Sequence, residues 1–249
     1  MAKYYELTLA SWHTDLEAAL KNYYGDGAVV HKSASDGVVF SCPQISDKYM
    51  RIRLYQSHAS YSQYTLHLYV AASLSTDGTL ASAVTVGALT NNNYENNHKG
   101  GLHLVLADKF LLMQCCATNT TYAHTILVAQ CTNGRYMFIV GTSGAANTYS
   151  MYSDTLTATP IRFVSMSTST AFKSAGKLVM LPSYFANDTE MELNVDGSFA
   201  YIEGLYCPAK YVTTEPLVGG NYYIAFAPIR GNATHGVYAA NSLYVELEP

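Results

Sequence analysis

The chain has 249 residues, of which only 13% are charged, and its formal net charge is −4 at pH 7. Its basic residues form no cluster longer than Arg51-Ile52-Arg53. Because a nucleic-acid groove needs a basic stripe, the composition argues against a nucleic-acid partner. No apolar run approaches the length of about 18 residues that a membrane-spanning helix needs, so we expect no membrane partner.

Tyrosine is the outlier in this composition, with 22 copies against a single tryptophan. A tyrosine side chain offers a large rigid contact area with a hydrogen-bonding tip, which suits protein interfaces. Tyrosine is also enriched in β-strands for reasons of packing alone. The composition therefore leaves two interpretations open, an interface protein and a strand-rich fold.

The N-terminal residues predict a short strand and then one helix. Residues 4–10 form a first strand or an arm, and Thr14 with Glu17 three positions later has the spacing of a capping box. Apolar residues from Leu16 to Tyr23 then recur at helical spacing. Gly25 stands where a helix of about ten residues is expected to end.

Antiparallel strands follow the helix. Asp36-Gly37 lies between two apolar runs and predicts a hairpin. Residues 49–55 and 61–70 alternate between apolar and polar side chains, which is typical of strands with one buried face. The asparagine-rich segment 87–100 is the candidate boundary after this part, so we predict a first unit over residues 1–86.

The centre of the fold is predicted between Gly101 and Val140. Four apolar runs of strand length lie there, each too short for a typical helix. Asn133-Gly134 separates the last two runs and predicts a hairpin closed by a type I′ turn. We interpret this block as a meander of four antiparallel strands.

The rest of the chain predicts further strands separated by turns and loops. Residues 141–160 resemble a surface connection, and later strands are expected at 161–164, 177–181, 191–194, 198–202, 222–226 and 243–247. The predicted second unit covers residues 101–249, and one continuous domain is the alternative. The predicted fold class is mainly β: an antiparallel sandwich or barrel-like meander with one short N-terminal helix.

Catalytic and metal-binding patterns are absent from the sequence. The eight histidines form no HxH or HExxH motif, and the five cysteines have no CxxC spacing. We expect the cysteines to be buried with reduced thiols. Nor does the sequence hold a nucleophile elbow or a phosphate loop. The prediction is therefore no enzyme, no cofactor and no metal.

One pair of carboxylates leaves a hydrolase open as an alternative. Glu190 and Glu192 would share one face of a strand. A glycosidase needs two carboxylates across a cleft, one of them with a raised pKa. A solvated strand edge is the preferred interpretation, since charge there discourages edge pairing.

Binding through tyrosines remains as the functional prediction. Tyrosine rings stack on sugar faces and equally pack against neighbouring subunits. The candidate contact residues, for another protein or for a glycan, are Tyr94, Tyr149, Tyr152, Tyr222 and Tyr223.

Two stretches of the chain carry a resemblance to a known group of proteins. These are D36-G-V-V-F-S-C-P-Q-I-S-D-K-Y49 and the block from Asp108 to Gly141, with N119-T-T-Y-A and C131-T-N-G-R-Y. They resemble uncharacterised virion structural proteins of tailed bacteriophages and prophages of gut Gram-positive bacteria.

The resemblance implies a non-enzymatic virion component of the tail, baseplate or fibre region. It would be synthesised in the bacterial host cytoplasm, which agrees with an N-terminus lacking the apolar core of a signal peptide. The expected partners are other virion proteins and further copies of this chain. A carbohydrate-binding β module that recognises a host-surface glycan is the alternative, and a capsid decoration or neck protein is the second alternative.

Overall fold

The chain folds into stacked antiparallel sheets with one helix. The computed structural model describes residues 1–33, 35–58, 63–88, 101–116, 123–143, 149–158, 162–165, 180–186, 191–208, 217–226, 238–239 and 242–249. Within these ranges the chain forms one α-helix and 20 strands. Among the described residues the sheets do not close into a barrel. The predicted fold class, mainly β with antiparallel strands in a sandwich or meander and one short N-terminal helix, is confirmed.

The first 88 residues contain the helix and eight strands. Strand β1 (Lys3–Leu7) precedes α1 (Trp12–Tyr24), and a short 3-10 turn (Asp26–Ala28) leads into the sheet. The following strands are β2 (Val29–Ser33), β3 (Gly37–Ser41), β4 (Tyr49–His58), β5 (Gln63–Ala71), β6 (Ser73–Leu74), β7 (Leu80–Ala81) and β8 (Val84–Ala88). Five of them form the N-terminal sheet in the order β2-β3-β4-β5-β8, while β6 and β7 form a separate hairpin.

The helix begins earlier than its sequence predicts. It starts at Trp12, so Thr14 lies inside the first turn and the predicted capping box is wrong. Asp15 explains the difference: its carboxylate accepts hydrogen bonds from the Thr8 amide and from the Ser11 hydroxyl, both at 2.9 Å. These bonds fix the chain entering the helix one turn before the predicted cap.

The central sheet contains the predicted meander. Its strands are β1, β9 (Leu102–Leu106), β10 (Phe110–Cys116), β11 (Ala123–Gln130), β12 (Tyr136–Ser143) and β13 (Tyr149–Ser153), in that order and all antiparallel. The prediction of a surface connection over residues 141–160 is wrong, because β12 extends to Ser143 and β13 adds an edge strand. Its sequence, YSMYS, carries no run of apolar residues, so the backbone pairing with β12 has no signal in the hydrophobic pattern.

The hairpin at Asn133-Gly134 is confirmed, but its turn type is not I′. Only Gly134 has a positive φ, at 83°. The Gly134 amide donates to the Cys131 carbonyl and the Cys131 amide donates to the Arg135 carbonyl, both at 2.8 Å. This is a three-residue loop with glycine in the bulge position, in which Asn133 accepts a hydrogen bond from the Arg135 amide. The hairpin turns at Gly78 and Gly197 have the same bonding pattern.

The remaining residues form the C-terminal sheet. Its strands are β14 (Arg162–Ser165), β15 (Met180–Ala186), β16 (Tyr201–Pro208), β17 (Leu217–Val218), β18 (Tyr222–Phe226), β19 (Tyr238–Ala239) and β20 (Ser242–Glu246). They are ordered β17-β18-β20-β16-β15-β14-β19, and neighbouring strands pair antiparallel.

The central sheet is buried on both faces, which gives the molecule three β layers. Alternate residues of β9 to β12, such as Leu104 and Met113, enter a first core shared with the N-terminal sheet and with one side of α1. Their neighbours, such as Val105 and Leu112, enter a second core shared with the C-terminal sheet. Burial on both faces explains why these strands read as continuous apolar runs.

The first core crosses the predicted boundary between residues 1–86 and 101–249, since both stretches contribute side chains to it. The asparagine-rich segment between them lies outside the described residues, as does Tyr94 within it. None of the described helices is long and apolar enough to cross a membrane.

Candidate functional site: a tyrosine face and an acidic cleft

The structure separates the five tyrosines that the sequence predicts as contacts. Tyr94 lies outside the described residues. The backbone of Tyr149 belongs to β13, opposite Gly141, but its side chain is not among the described parts of the chain. Tyr152 is half-buried and packs on the first core, opposite Phe138 in β12. Tyr152 therefore has part of its ring committed to the interior.

Tyr223 is a core residue. Its side chain is fully buried in the second core, and its hydroxyl donates a hydrogen bond of 2.9 Å to Oε1 of Gln114. It has no surface to present to a subunit or a glycan in the folded chain, so the expectation of a contact at Tyr223 is corrected. The physical reason is strand parity, because adjacent residues in β18 point to opposite faces.

Tyr222 lies on the opposite, outer side of the same sheet, together with two tyrosines that the sequence analysis missed. Its ring stacks on Tyr244 of β20 with centroids 5.8 Å apart, and Tyr244 meets Tyr206 of β16 edge-on at 6.4 Å. All three side chains are half-buried. We call Tyr206, Tyr222 and Tyr244 the tyrosine face.

The pattern of β20 explains why these rings point outwards. Leu243 and Val245 enter the second core, so Tyr244 between them must face away. The register then places Tyr206 directly opposite Tyr244. The alternation of L243-Y-V245 is the sequence signal for Tyr244. It predicts an outward-facing ring only when Leu243 and Val245 are known to face the core.

A glycine makes room for Tyr222. A Cβ atom at Gly219 would lie 2.3 Å from Cε1 of Tyr222, and the Gly219 amide donates a 2.8 Å hydrogen bond to the Tyr222 carbonyl. The ring therefore lies directly over the backbone of the preceding turn. No other residue type fits at position 219 while this ring stays in place.

A cleft borders the tyrosine face. Glu203, Tyr206 and Glu246 line a cavity of about 410 Å³, together with the turn that joins β9 to β10 and the N-terminal residues Met1 and Ala2. Three carboxylates face two cations here, because Asp108 and Lys109 belong to the turn and Met1 carries the terminal ammonium. We call this cavity the acidic cleft.

The tyrosine face and the acidic cleft influence each other electrostatically. Burial raises the pKa of Tyr244, and the nearby Glu246 carboxylate raises it further. The hydroxyl therefore stays protonated and available as a donor at neutral pH. Glu203 and Glu246 are both exposed, and neither forms a salt bridge with another described residue.

A second polar group lies inside the molecule, at one end of the second core. The Tyr4 hydroxyl and Nδ1 of His103 lie 2.7 Å apart, and both rings lie within 6 Å of the Tyr223 ring. Gln114 continues the group by donating to Thr125 at 2.7 Å. Gln114, Thr125 and Tyr223 are fully buried, while Tyr4 and His103 are half-buried, so most of this group contributes to the interior.

The C-terminal part contains Glu190 and Glu192, the pair of carboxylates that left a hydrolase open as an alternative. Glu190 lies outside the described residues, and the Glu192 carboxylate is held by Arg135 at 3.1 Å. Arg135 also pairs with Asp154 at 3.5 Å. Among the described residues, no group of three or more histidine, cysteine or acidic side chains has the proximity that a metal ion needs.

The described cysteines are core residues. Cys42, Cys115 and Cys131 are buried free thiols, as predicted from their sequence context. Burial raises the pKa of the Cys115 thiol to about 12. Since the thiolate is the nucleophile, these cysteines are chemically inert in the folded chain.

The tyrosine face and the acidic cleft are thus the surface features with the clearest potential for binding among the described residues. Comparisons of the chain with protein-family models, with curated proteins and with solved structures find no match.

Proposed function

We propose that this chain is a non-enzymatic structural protein of a bacteriophage virion, in the tail, baseplate or fibre region, and that it acts by packing against other protein subunits. The tyrosine face is the observation that carries the proposal of subunit packing. The resemblance of residues 36–49 and 108–141 to virion proteins supports the assignment to a particle.

The tyrosine face has the chemistry of a protein interface. Tyrosine is enriched in the buried centres of interfaces, where charged residues are depleted. Three adjacent rings provide a rigid apolar surface, and their hydroxyls satisfy hydrogen bonds at its rim. Association would bury the part of each ring that the single chain leaves exposed.

The oligomeric state tests this proposal. We expect the purified chain to self-associate in light scattering after size exclusion, or to bind another component of the particle. Tyr222→Ser/Tyr244→Ser should weaken the association by at least about tenfold, since interface tyrosines are frequent hot spots.

The control for this test is Val195→Ser, which removes a fully exposed apolar side chain that is not part of the tyrosine face. It should leave association unchanged. A chain that stays monomeric at high concentration and is absent from purified particles would refute the proposal. Labelling of intact particles would separate a tail location from a capsid decoration or neck protein.

Carbohydrate recognition is the second candidate, and the pairing of Tyr222 with Glu246 across β18 and β20 favours it. An aromatic ring next to an exposed carboxylate is suited to stacking on a sugar and accepting hydrogen bonds from its hydroxyls. A glycan array should then give a signal that Tyr222→Ala and Glu246→Gln each abolish. An array without any signal for the wild-type chain would remove this candidate.

A further inference from the structure

The outer face of the N-terminal sheet is basic. Arg51 and Arg53 of β4 and His67 and Tyr69 of β5 point away from the first core, because the residues between them enter it. The register places Arg51 opposite Tyr69 and Arg53 opposite His67. We call these four residues the basic face.

The side chains of the basic face are held in position. The Arg51 guanidinium lies 4.2 Å from the centre of the Tyr69 ring, and the His67 ring stacks on Tyr69 at 6.1 Å. A cation held over an aromatic ring loses little further freedom when it binds a carboxylate. The face is therefore preorganised.

The Arg51 guanidinium has no carboxylate partner among the described residues. It forms no salt bridge with any of them, and its Nε, which is buried, has no hydrogen-bond acceptor among them. The β6–β7 hairpin contacts β4 and β5, the two strands that carry this face. Its single carboxylate, Asp77, accepts two hydrogen bonds from Thr79 within the hairpin.

The opposite outer layer of the molecule has the complementary chemistry. The C-terminal sheet presents the tyrosine face and, beside it, the exposed carboxylates Glu203 and Glu246. The two layers are separated by the central sheet, because the N-terminal sheet covers one of its faces and the C-terminal sheet the other. One chain thus carries a basic surface and an acidic surface on opposite sides.

We propose that copies of this chain stack head to tail, with the basic face of one copy against the tyrosine face and acidic cleft of the next. This inference rests on the proposed function and specifies its interface. Arg51 and Arg53 approach Glu203 and Glu246, and the tyrosine rings of the second copy cover the apolar stems of the arginines.

The geometry of such a contact determines the type of assembly. The two surfaces differ, so the contact is heterologous, and repetition gives an open filament or, where the rotation closes, a ring. A two-fold dimer through either surface would place like charges against each other, which is unfavourable. Association should weaken in high salt, because part of the attraction is between exposed charges.

Charge reversal with mixing tests the arrangement. Arg51→Glu/Arg53→Glu produces a chain with two acidic surfaces, and Glu203→Lys/Glu246→Lys produces a chain with two basic surfaces. In sedimentation velocity we expect each variant alone to lose self-association by at least about tenfold. An equal mixture of the two should regain it, because each acidic surface then finds a basic one.

Two controls accompany this experiment. Lys21→Glu/Lys48→Glu reverses two charges outside both surfaces and should associate as the wild type does. Arg51→Gln/Arg53→Gln removes both charges without introducing negative ones and keeps polar, hydrogen-bonding side chains, so it weakens association even where the glutamate variant fails to fold. Circular dichroism confirms the fold of each variant.

The outcomes separate this inference from the proposed function. Loss in each single variant with recovery in the mixture supports head-to-tail stacking. Variants that still associate as the wild type does, or a mixture without recovery, overturn the stacking and leave subunit packing standing. A wild-type chain that neither self-associates nor joins a particle overturns both.

Discussion

Gln114 is a polar side chain in the middle of an apolar layer. Its Nε2 donates to Thr125 and its Oε1 accepts from Tyr223, so both ends of the amide are satisfied without water. Burying an unsatisfied amide is costly. A slip of one residue between β10 and β11 would separate Gln114 from Thr125, and the pair therefore helps to fix their register.

Removing the Tyr223 hydroxyl should destabilise the chain. We expect Tyr223→Phe to lower the free energy of unfolding by about 1–3 kcal/mol, because Gln114 Oε1 then loses a buried donor. Urea denaturation measures the change, and Tyr222→Phe on the outer side of the same strand is the matched control. In a double-mutant cycle with Gln114→Leu, a coupling energy near zero would contradict the importance of this contact.

Strand β18 shows how a backbone position decides the shape of the surface. Tyr222 keeps its orientation because Gly219 leaves the space that a side chain would occupy. The adjacent Gly220 has no heavy atom near the position of its absent Cβ within 4 Å. A side chain at position 219 would therefore collide with the Tyr222 ring, whereas one at position 220 would meet no other atom.

Substitution of these glycines should separate their roles. Gly219→Ala is expected to displace the Tyr222 ring and to weaken self-association to an extent comparable with Tyr222→Ser, whereas Gly220→Ala should change association little. Sedimentation velocity measures association, and thermal unfolding shows whether the fold survives. Equal effects of the two substitutions would argue against a specific role for the Tyr222 orientation.

The sequence predicts where a strand lies better than it predicts which side chains of that strand are buried. The apolar runs between residues 101 and 140 identify four central strands, and Asn133-Gly134 identifies their last hairpin. The pair Tyr222-Tyr223 is different, because N221-Y-Y-I-A225 has apolar residues at both parities. Only the pairing of β18 with β20, set by distant contacts, decides which ring is buried.

Turn type and edge strands are also difficult to predict from the sequence, because both depend on how the strands pair. A glycine after asparagine fits both a type I′ turn and a glycine bulge, and the choice depends on the register of the flanking strands. Strand β13 is held by backbone pairing with β12. The tyrosine face consists of residues from three strands that are far apart in sequence, so no local sequence motif predicts it.

At the scale of the whole molecule, the three-layer arrangement buries the described thiols. Burial raises the pKa values of Cys42, Cys115 and Cys131 above their ordinary value of 9.0, that of Cys115 to about 12. The raised values mean that the folded state holds these protons more tightly than the unfolded chain. Their stabilising effect is complete below pH 9 and is lost progressively as the pH rises towards 12.

Titration of the buried thiols should therefore lower the stability of the chain at alkaline pH. We expect the free energy of unfolding to fall above about pH 9, by up to about 1.4 kcal/mol per pH unit for each buried thiol that titrates. Urea denaturation over a pH series measures the slope, and Cys115→Ala should flatten it. A stability that stays constant from neutral pH to pH 11 would contradict this assignment.

The pairing of β1 with β9 has a consequence for how the protein is made. Tyr4 and His103 lie 99 positions apart, yet they meet in the same sheet. A ribosome adding about 5–20 residues per second takes roughly 5–20 s to cover that distance. Strand β1 therefore waits for its partner strand until β9 has been made. The inner side of the N-terminal sheet likewise stays uncovered until the central strands follow it, so the nascent chain exposes apolar surface in the meantime.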